Sequence, residues 1–286
     1  MKKNVKIIGR ESVAISPPKD KKVNVHFSRK YLGVPFALFL VMFAIIPMAL
    51  IVYYAFTDNL TGAFSFENFA KFFSSTSTLS TLLTSVFLAF LTTVVCLIIG
   101  YPVAYILARS KIKKRNALLM LFITPMWINF VLRAMAMKEL LNLLGMLGNY
   151  NFLNTLIGMV YDYLPFMILP LYTVLIKLDK NVLEASEDLG ASPLHTFTKV
   201  TLPLSLPGIM SGITMVFMPT MTCYVIADTF SESKITIIGK LIETQFGEAN
   251  NWSYGSAIAL VLLVIMLVCM IVTGEFKSDN NRGAVL

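Results

Sequence analysis

The chain has 286 residues, of which 56% are hydrophobic and only 14% carry a formal charge. Soluble globular domains average about 25% charged residues, so this composition excludes an ordinary soluble domain. The net charge is +8. Nucleic-acid binding would also need a folded soluble surface with base-reading or stacking groups, and the absence of such a surface excludes nucleic acid as a partner.

Apolar runs recur along the chain, and several reach the roughly 20 residues that a membrane-spanning helix needs. We predict six spans, at residues 33–54, 82–107, 117–132, 153–176, 202–227 and 249–274. Arg133 closes the third span, and Asp162, Pro165 and Pro170 interrupt the fourth. The predicted fold class is therefore an all-α integral membrane protein with six transmembrane helices.

A basic arm, residues 1–31, precedes the first span, which is too long to be a cleaved signal. Lysine and arginine oppose translocation and hold flanking segments in the cytoplasm. The basic loop 109–115, the loop 177–199 and the tail 276–286 then lie on the same side. We therefore expect a multi-pass membrane domain at residues 32–275, with both termini cytoplasmic.

Two external segments are short. Ser65 is placed to cap a helix whose phenylalanines lie on one face, while Glu67, Asn68 and Lys71 face the other way. This pattern is typical of an interfacial amphipathic helix. Residues 140–154 are apolar but interrupted by Gly and Asn, which favours an external hairpin over a span.

The cysteines, Cys96, Cys223 and Cys269, lie in apolar runs and are interpreted as small packing residues.

The loop between the fourth and fifth spans has the signals of a compact helical knob on the cytoplasmic face. Asn181 or a neighbour starts a short helix, residues 184–189 form it, and Gly190 ends it in a left-handed cap. Pro203 and Pro207 then fix the start of the fifth span, so that a displacement of the knob passes to that span as a near-rigid body.

This stretch resembles the cytoplasmic coupling loop of bacterial ABC importer permeases. The matching residues are Glu184, Ala185, Gly190, Ala191, Phe197, Leu202, Pro203, Pro207 and Gly208, with Ser186 where the family usually has a second alanine. The likeness extends to Gly100-Tyr101-Pro102, to residues 124–129 with Arg133, and to residues 164–172. Over residues 32–275 the chain is similar to spermidine/putrescine permeases.

The resemblance implies a type I ABC importer permease fold in the bacterial inner membrane. It implies a second homologous permease, two ATPase subunits, an extracytoplasmic substrate-binding protein and membrane lipid as partners. ATP and Mg would bind to the ATPase, and this chain would hold no cofactor and catalyse no reaction. The residues implied to couple to the ATPase near residues 178–203 and just beyond are Glu184, Ala185, Asp188, Gly190, Ala191, Phe197, Pro203, Pro207 and Gly208.

A polyamine path needs carboxylates, carbonyls and aromatic faces, since ammonium groups interact with all three. The candidates are Asp162, Tyr161, Tyr163, Trp127, Pro219, whose ring frees backbone carbonyls, and Asp228. Two interpretations of Asp162 stay open: a cation-attracting group on the path, or a partner of Arg133. Arg133 itself is expected to be an end-of-span anchor that snorkels to the interface, and Asp228 and Glu232 to be solvated.

The residues give less support to other functions. A membrane enzyme needs a clustered acid, base or metal set, whereas His26 and His195 have no partner at ligand spacing, so we expect no metal site. A passive channel does not need the knob. An importer permease for a phosphonate, an inorganic anion or iron remains the main alternative to a polyamine permease.

Overall fold

The computed structural model describes residues 29–59, 61–109 and 115–273. Most of the predicted arm, the tail 276–286 and most of the loop 109–115 lie outside these ranges. The chain divides into two compact units, Met1–Pro47 and Met48–Leu286.

The first span is one apolar helix, Gly33–Ala55, of 23 residues, which is long enough to cross a bilayer. It comprises α1 (Arg29–Leu40), a π-helical turn at Val41–Ile45 and α2 (Ile46–Ala55). Helix α1 begins inside the predicted arm.

The second unit continues with eleven further helices in its described part. Their bounds are α3 Glu67–Ser74, α4 Thr76–Arg109, α5 Arg115–Ile123, α6 Phe130–Leu143, α7 Asn151–Leu175, α8 Lys180–Asp188, α9 Pro193–Thr196, α10 Leu202–Thr222, α11 Tyr224–Ser231, α12 Ile238–Phe246 and α13 Trp252–Thr273. A 3-10 turn (Thr124–Trp127) follows α5, and a π-helical turn (Phe197–Thr201) joins α9 to α10.

Within the described ranges, five helices are long and apolar enough to span a membrane. They are Gly33–Ala55, Thr76–Arg109, Asn151–Leu175, Pro193–Thr222 and Trp252–Thr273. A sixth crossing exists only if a bent pair of helices counts as one span. The predicted all-helical membrane fold is confirmed, and the third and fifth spans need correction.

The third span is broken rather than straight. Ala117–Trp127 and Phe130–Leu143 meet at 99°. Ile128 is extended, with φ −79° and ψ 141°, and the side chain of Asn129 accepts a hydrogen bond from the backbone N–H of Val131 at 2.9 Å. Because Asn129 caps a new helix, the predicted continuous helix over residues 117–132 was wrong.

The fifth span is shifted towards the N-terminus, into the predicted knob. It begins at Pro193 and ends at Thr222, where Cys223 leaves the helix with φ −76° and ψ 79°. Pro219 precedes the break, and its carbonyl oxygen accepts hydrogen bonds from Cys223 N at 2.9 Å and Thr222 Oγ1 at 3.1 Å. Gly239 of α12 packs so closely against the break that a Cβ there would collide with the Thr222 carbonyl oxygen.

Helices α4, α7 and α10 form the centre of the second unit. Gly208 and Gly212, one turn apart on α10, lie against α7. A Cβ on Gly208 would lie 3.1 Å from the carbonyl oxygen of Pro170, and one on Gly212 would lie 2.6 Å from Sδ of Met167. Small residues at this spacing allow close helix approach inside a membrane, where apolar lipid removes the usual driving force for association.

Helix α3 contacts α4 and α13 and leaves Phe66 and Phe73 exposed. Ser65 Oγ accepts a hydrogen bond from Glu67 N at 3.0 Å, as predicted, and Phe72 is buried. However, Asn68 donates to the Thr57 carbonyl at 3.1 Å, and the Lys71 ammonium lies 4.6 Å from the Tyr254 ring. The polar face of α3 therefore contacts the rest of the second unit through Asn68 and Lys71, while Glu67 stays exposed.

The predicted hairpin over residues 140–154 is a shorter turn. Helix α6 continues to Leu143, and Gly145 and Gly148 adopt φ of 67° and 79° before α7 begins. Asn154 Nδ2 donates to the Met146 carbonyl at 2.9 Å and closes the turn.

Candidate functional site

The knob is built from α8 and α9, each with its own cap. Asp179 accepts a hydrogen bond from Asn181 N at 3.0 Å, and Ser192 accepts one from His195 N at 3.3 Å. Gly190 ends α8 with φ of 78°, the left-handed conformation that the sequence predicted. The hydroxyls of Ser186 and Thr196 lie 3.0 Å apart and link α8 to α9.

A groove of about 730 Å³ runs between the two helices of the knob. Its lining residues are Val182, Ala185, Ser186, Leu189, Gly190, Ala191, Ser192, His195, Lys199 and Val200. Leu189 is 90% exposed and Leu194 is 73% exposed. Val182, which is 45% exposed, and Leu189 both line the groove, so its wall carries exposed apolar side chains. The sequence analysis missed both leucines, although an apolar side chain in a charged loop is a visible signal.

Helix α10 continues the knob without interruption, since Pro193–Thr222 is one helix of 30 residues. Phe197 packs edge-on against the rings of Tyr101 and Tyr105 of α4, each with centroids 5.6 Å apart. Pro203 has no N–H for the carbonyl four residues earlier, and the adjacent π-helical turn absorbs that defect.

The residues predicted to couple to the ATPase fall into two groups. Glu184, Ala185, Asp188 and Gly190 are exposed on the knob, and Ala191 is half-buried beside them. The remaining four lie along the helix that follows: Phe197 half-buried, Pro203 and Pro207 exposed, and Gly208 buried against α7. The first group forms a surface, and the second lies on the helix that connects this surface to the membrane.

A second cavity, of about 470 Å³, lies where α5 meets α6 and α10 meets α11. Its lining residues are Met126, Trp127, Ile128, Asn129, Phe130, Arg133, Asp162, Tyr163, Phe166, Cys223 and Ile226. Both helix breaks, at Ile128 and at Cys223, therefore border one space. Irregular backbone at membrane depth is tolerated where it lines a cavity or is buried in protein.

An ion pair forms part of the cavity wall. Nη2 of Arg133 lies 2.6 Å from Oδ1 of Asp162, with side-chain exposures of 8% and 4%. Of the two interpretations of Asp162, pairing with Arg133 is therefore realised. The prediction that Arg133 snorkels to the interface was wrong, because the break at Asn129 turns α6 and buries this side chain against α7.

The other path candidates are partly brought together. Trp127 and Tyr163 line the cavity, Trp127 being 84% exposed and Tyr163 buried. Tyr161 lies behind the ion pair, with its ring centroid 5.8 Å from Cζ of Arg133. Pro219 and Asp228 do not line the cavity.

Asp228 is partly buried and paired, whereas Glu232 is 43% exposed, in agreement with the prediction that it is solvated. Asp228 lies 3.6 Å from the Lys240 ammonium, and Glu232 lies 3.8 Å from Lys234. The hydrogen bond from Lys240 to Glu243, with the nearby Asp228 carboxylate, raises the pKa of Lys240 above its ordinary value. Lys240 therefore stays cationic and ties α11 to α12.

Among the described residues, no group of three or more His, Cys, Asp or Glu side chains is arranged to hold a metal ion. Cys96, Cys223 and Cys269 are free thiols.

Known proteins resemble this chain in sequence and in fold. The spermidine/putrescine transport system permease protein PotB of Haemophilus influenzae is 34% identical over 286 aligned residues, covering 93% of this chain and 99% of the relative. PotB of Escherichia coli K12 is 33% identical over 267 residues, covering 86% of this chain and 97% of the relative. A bacterial ABC transporter involved in the import of the acidic polysaccharide alginate superposes with a TM-score of 0.70 at 14% identity, over 88% of this chain and 95% of that one.

The family model described as binding-protein-dependent transport system inner membrane component matches residues 100–275. This match contains the knob, the cavity, α7, α10 and the last ten residues of α4. The chain thus belongs to the family of binding-protein-dependent transport system inner membrane components, which are transport permeases and not enzymes.

Proposed function

We propose that this chain is a permease subunit of an ATP-driven importer of spermidine or putrescine. The observation that carries the substrate class is its identity of 34% over 93% of its length to a spermidine/putrescine permease. The cavity favours a cation over an anion. Its arginine is already paired with an aspartate, and its aromatic side chains offer faces that attract ammonium groups. The fold neighbour's acidic cargo does not weigh against this, since 14% identity supports only a common fold.

The knob would dock to a separate ATPase subunit that binds ATP and Mg. The groove supports this role, because exposed apolar side chains from Val182 and Leu189 are grouped along it, and grouped apolar surface is typical of a protein interaction site. The continuous helix Pro193–Thr222 would carry the motion of the ATPase into the membrane. In this assembly the knob and both termini are cytoplasmic.

The assembly would contain a second homologous permease, two ATPase subunits and an extracytoplasmic substrate-binding protein, in the bacterial inner membrane. Substrate would pass between the two permeases by alternating access. Asp162, Tyr163 and Trp127 would face the substrate from the cavity, with Tyr161 behind them. Pro219 and Asp228 would act near the break in the fifth span and beyond it.

The test is ATP hydrolysis and uptake by the complex in proteoliposomes, with the binding protein added. The solutes to compare are spermidine, putrescine, a phosphonate, sulfate and ferric iron. We expect the two polyamines alone to stimulate hydrolysis and to accumulate. Stimulation by another solute alone would retain the importer and reject the polyamine, whereas no recoverable ATPase partner would reject the role of the knob.

A further inference from the structure

The Arg133–Asp162 ion pair leaves part of its hydrogen-bonding capacity unused. Both side chains are almost fully buried, yet Nε of Arg133 is buried without a hydrogen-bond partner among the described residues. The Nε–H of the guanidinium therefore donates no hydrogen bond, and the pair lacks the second, parallel hydrogen bond that makes bidentate arginine–carboxylate pairs strong. A buried pair of this kind is weak evidence for stability, because the cost of removing both charges from water offsets much of their attraction.

The surroundings of the pair suit a different cation. The cavity of about 470 Å³ borders Asp162, and Trp127, Phe130, Tyr163 and Phe166 supply aromatic faces. Ammonium groups are attracted to such faces within about 6 Å of the ring centroid. The two helix breaks place irregular backbone beside the same space.

A second favourable contact is available to the Arg133 guanidinium. Its Cζ atom lies 5.8 Å from the centroid of the Tyr161 ring, on the same helix as Asp162. A guanidinium is weakly hydrated and stacks on aromatic rings, so it keeps a favourable contact when it releases the carboxylate. Among the described residues, the Asp162 carboxylate forms no ion pair other than the one with Arg133.

We propose that Arg133 is a stand-in cation, and that the cavity is a subsite in which a primary alkylammonium of the substrate replaces Arg133 as the partner of Asp162. When the substrate leaves, Arg133 returns to Asp162 and closes the subsite. This inference rests on the proposed polyamine function. An anionic substrate is incompatible with it, because an anion would pair with Arg133 and leave Asp162 charged and unpaired in a buried site.

The main test uses the neutral double variant Arg133→Gln/Asp162→Asn, which retains hydrogen-bonding side chains without the charges. The assembled complex is reconstituted, and spermidine uptake is measured with the binding protein present. We expect the KM for spermidine to rise about tenfold or more, because the substrate ammonium loses its carboxylate partner. Glu232→Gln/Lys234→Gln, an exposed pair outside the cavity, is the matched control and should leave the KM unchanged.

The single variant Arg133→Gln gives a second signature. Without the stand-in cation, substrate should be held more tightly and released more slowly, so both the KM and the maximal rate should fall. A merely structural pair predicts instead that this variant assembles poorly and that the double variant transports with the wild-type KM.

A measurement on the wild-type complex needs no folded variant. Phenylglyoxal labels accessible arginines, and mass spectrometry follows Arg133. We expect spermidine, but not inorganic phosphate, to increase labelling of Arg133, because the displaced guanidinium leaves the carboxylate. Unchanged labelling, or a wild-type KM in the double variant while the wild type imports spermidine, would overturn the exchange alone. Wild-type import of only a different solute would overturn the polyamine function and the exchange together.

Discussion

The hydroxyl of Tyr101 on α4 lies 2.8 Å from Oγ of Ser205 on α10, inside the core, and the ring of the same tyrosine packs edge-on against Phe197. Ser205 already donates to the carbonyl of Leu202 at 2.9 Å, so Tyr101 is the donor and Ser205 the acceptor. This assignment predicts an asymmetry between the two possible deletions.

Ser205→Ala should destabilise the protein more than Tyr101→Phe. The serine variant leaves the buried tyrosine O–H without an acceptor, which costs about 1 to 3 kcal/mol, whereas the phenylalanine variant loses one net hydrogen bond of about 1 kcal/mol. Thermal unfolding of the detergent-solubilised protein measures the difference. Equal melting temperatures for the two variants would contradict the donor assignment.

Gly239→Ala should be more destabilising than Gly212→Ala. A Cβ at Gly239 meets the backbone carbonyl of Thr222, which cannot move without shifting the break in the fifth span. A Cβ at Gly212 meets the end of the flexible Met167 side chain, 2.6 Å away. We expect a cost of about 1 kcal/mol for Gly212→Ala and about 3 kcal/mol or more for Gly239→Ala, from the known range for overpacking.

Gly33→Ala is the matched control for this pair, since no atom lies within 4 Å of a Cβ at that position. Its melting temperature should equal that of the wild type or exceed it slightly, because alanine is the better helix former. A normal melting temperature for Gly239→Ala would show that α12 moves freely against the break.

Much of the fold was predictable because hydropathy and length decide where a helix can cross a membrane. The knob was predictable for another reason: a cap, a short helix and Gly190 are local signals that require no tertiary contact. The break at Asn129 was not predicted, because an Asn in an apolar run fits both a helix interior and a cap. The burial of Arg133 follows from that break, so its interpretation as a snorkelling anchor failed with it.

Gly190→Val should uncouple ATP hydrolysis from transport while membrane insertion stays normal. The φ of 78° is costly for a β-branched residue, so valine should distort the end of α8 and the exposed surface around Leu189. Gly190→Asn is the matched variant, because asparagine tolerates this conformation and should retain most of the coupling. Transport and hydrolysis assays on both variants measure the effect. Equal loss in both would mean that side-chain bulk, and not backbone conformation, is what the position excludes.

Leu189→Ala should weaken binding of the ATPase without changing the stability of the permease. The side chain is 90% exposed, so its removal takes away almost no internal packing. If a partner covers this leucine, its truncation should cost about 1 to 2 kcal/mol of binding, or roughly tenfold in Kd. Titration of the purified ATPase onto permease in nanodiscs measures the Kd, and thermal unfolding of the same samples measures the stability. The charged neighbour Glu187, also exposed on α8, supplies the control variant Glu187→Gln, for which we expect a change of less than threefold. A Kd for Leu189→Ala equal to that of the wild type would show that the ATPase does not dock on the surface around Leu189.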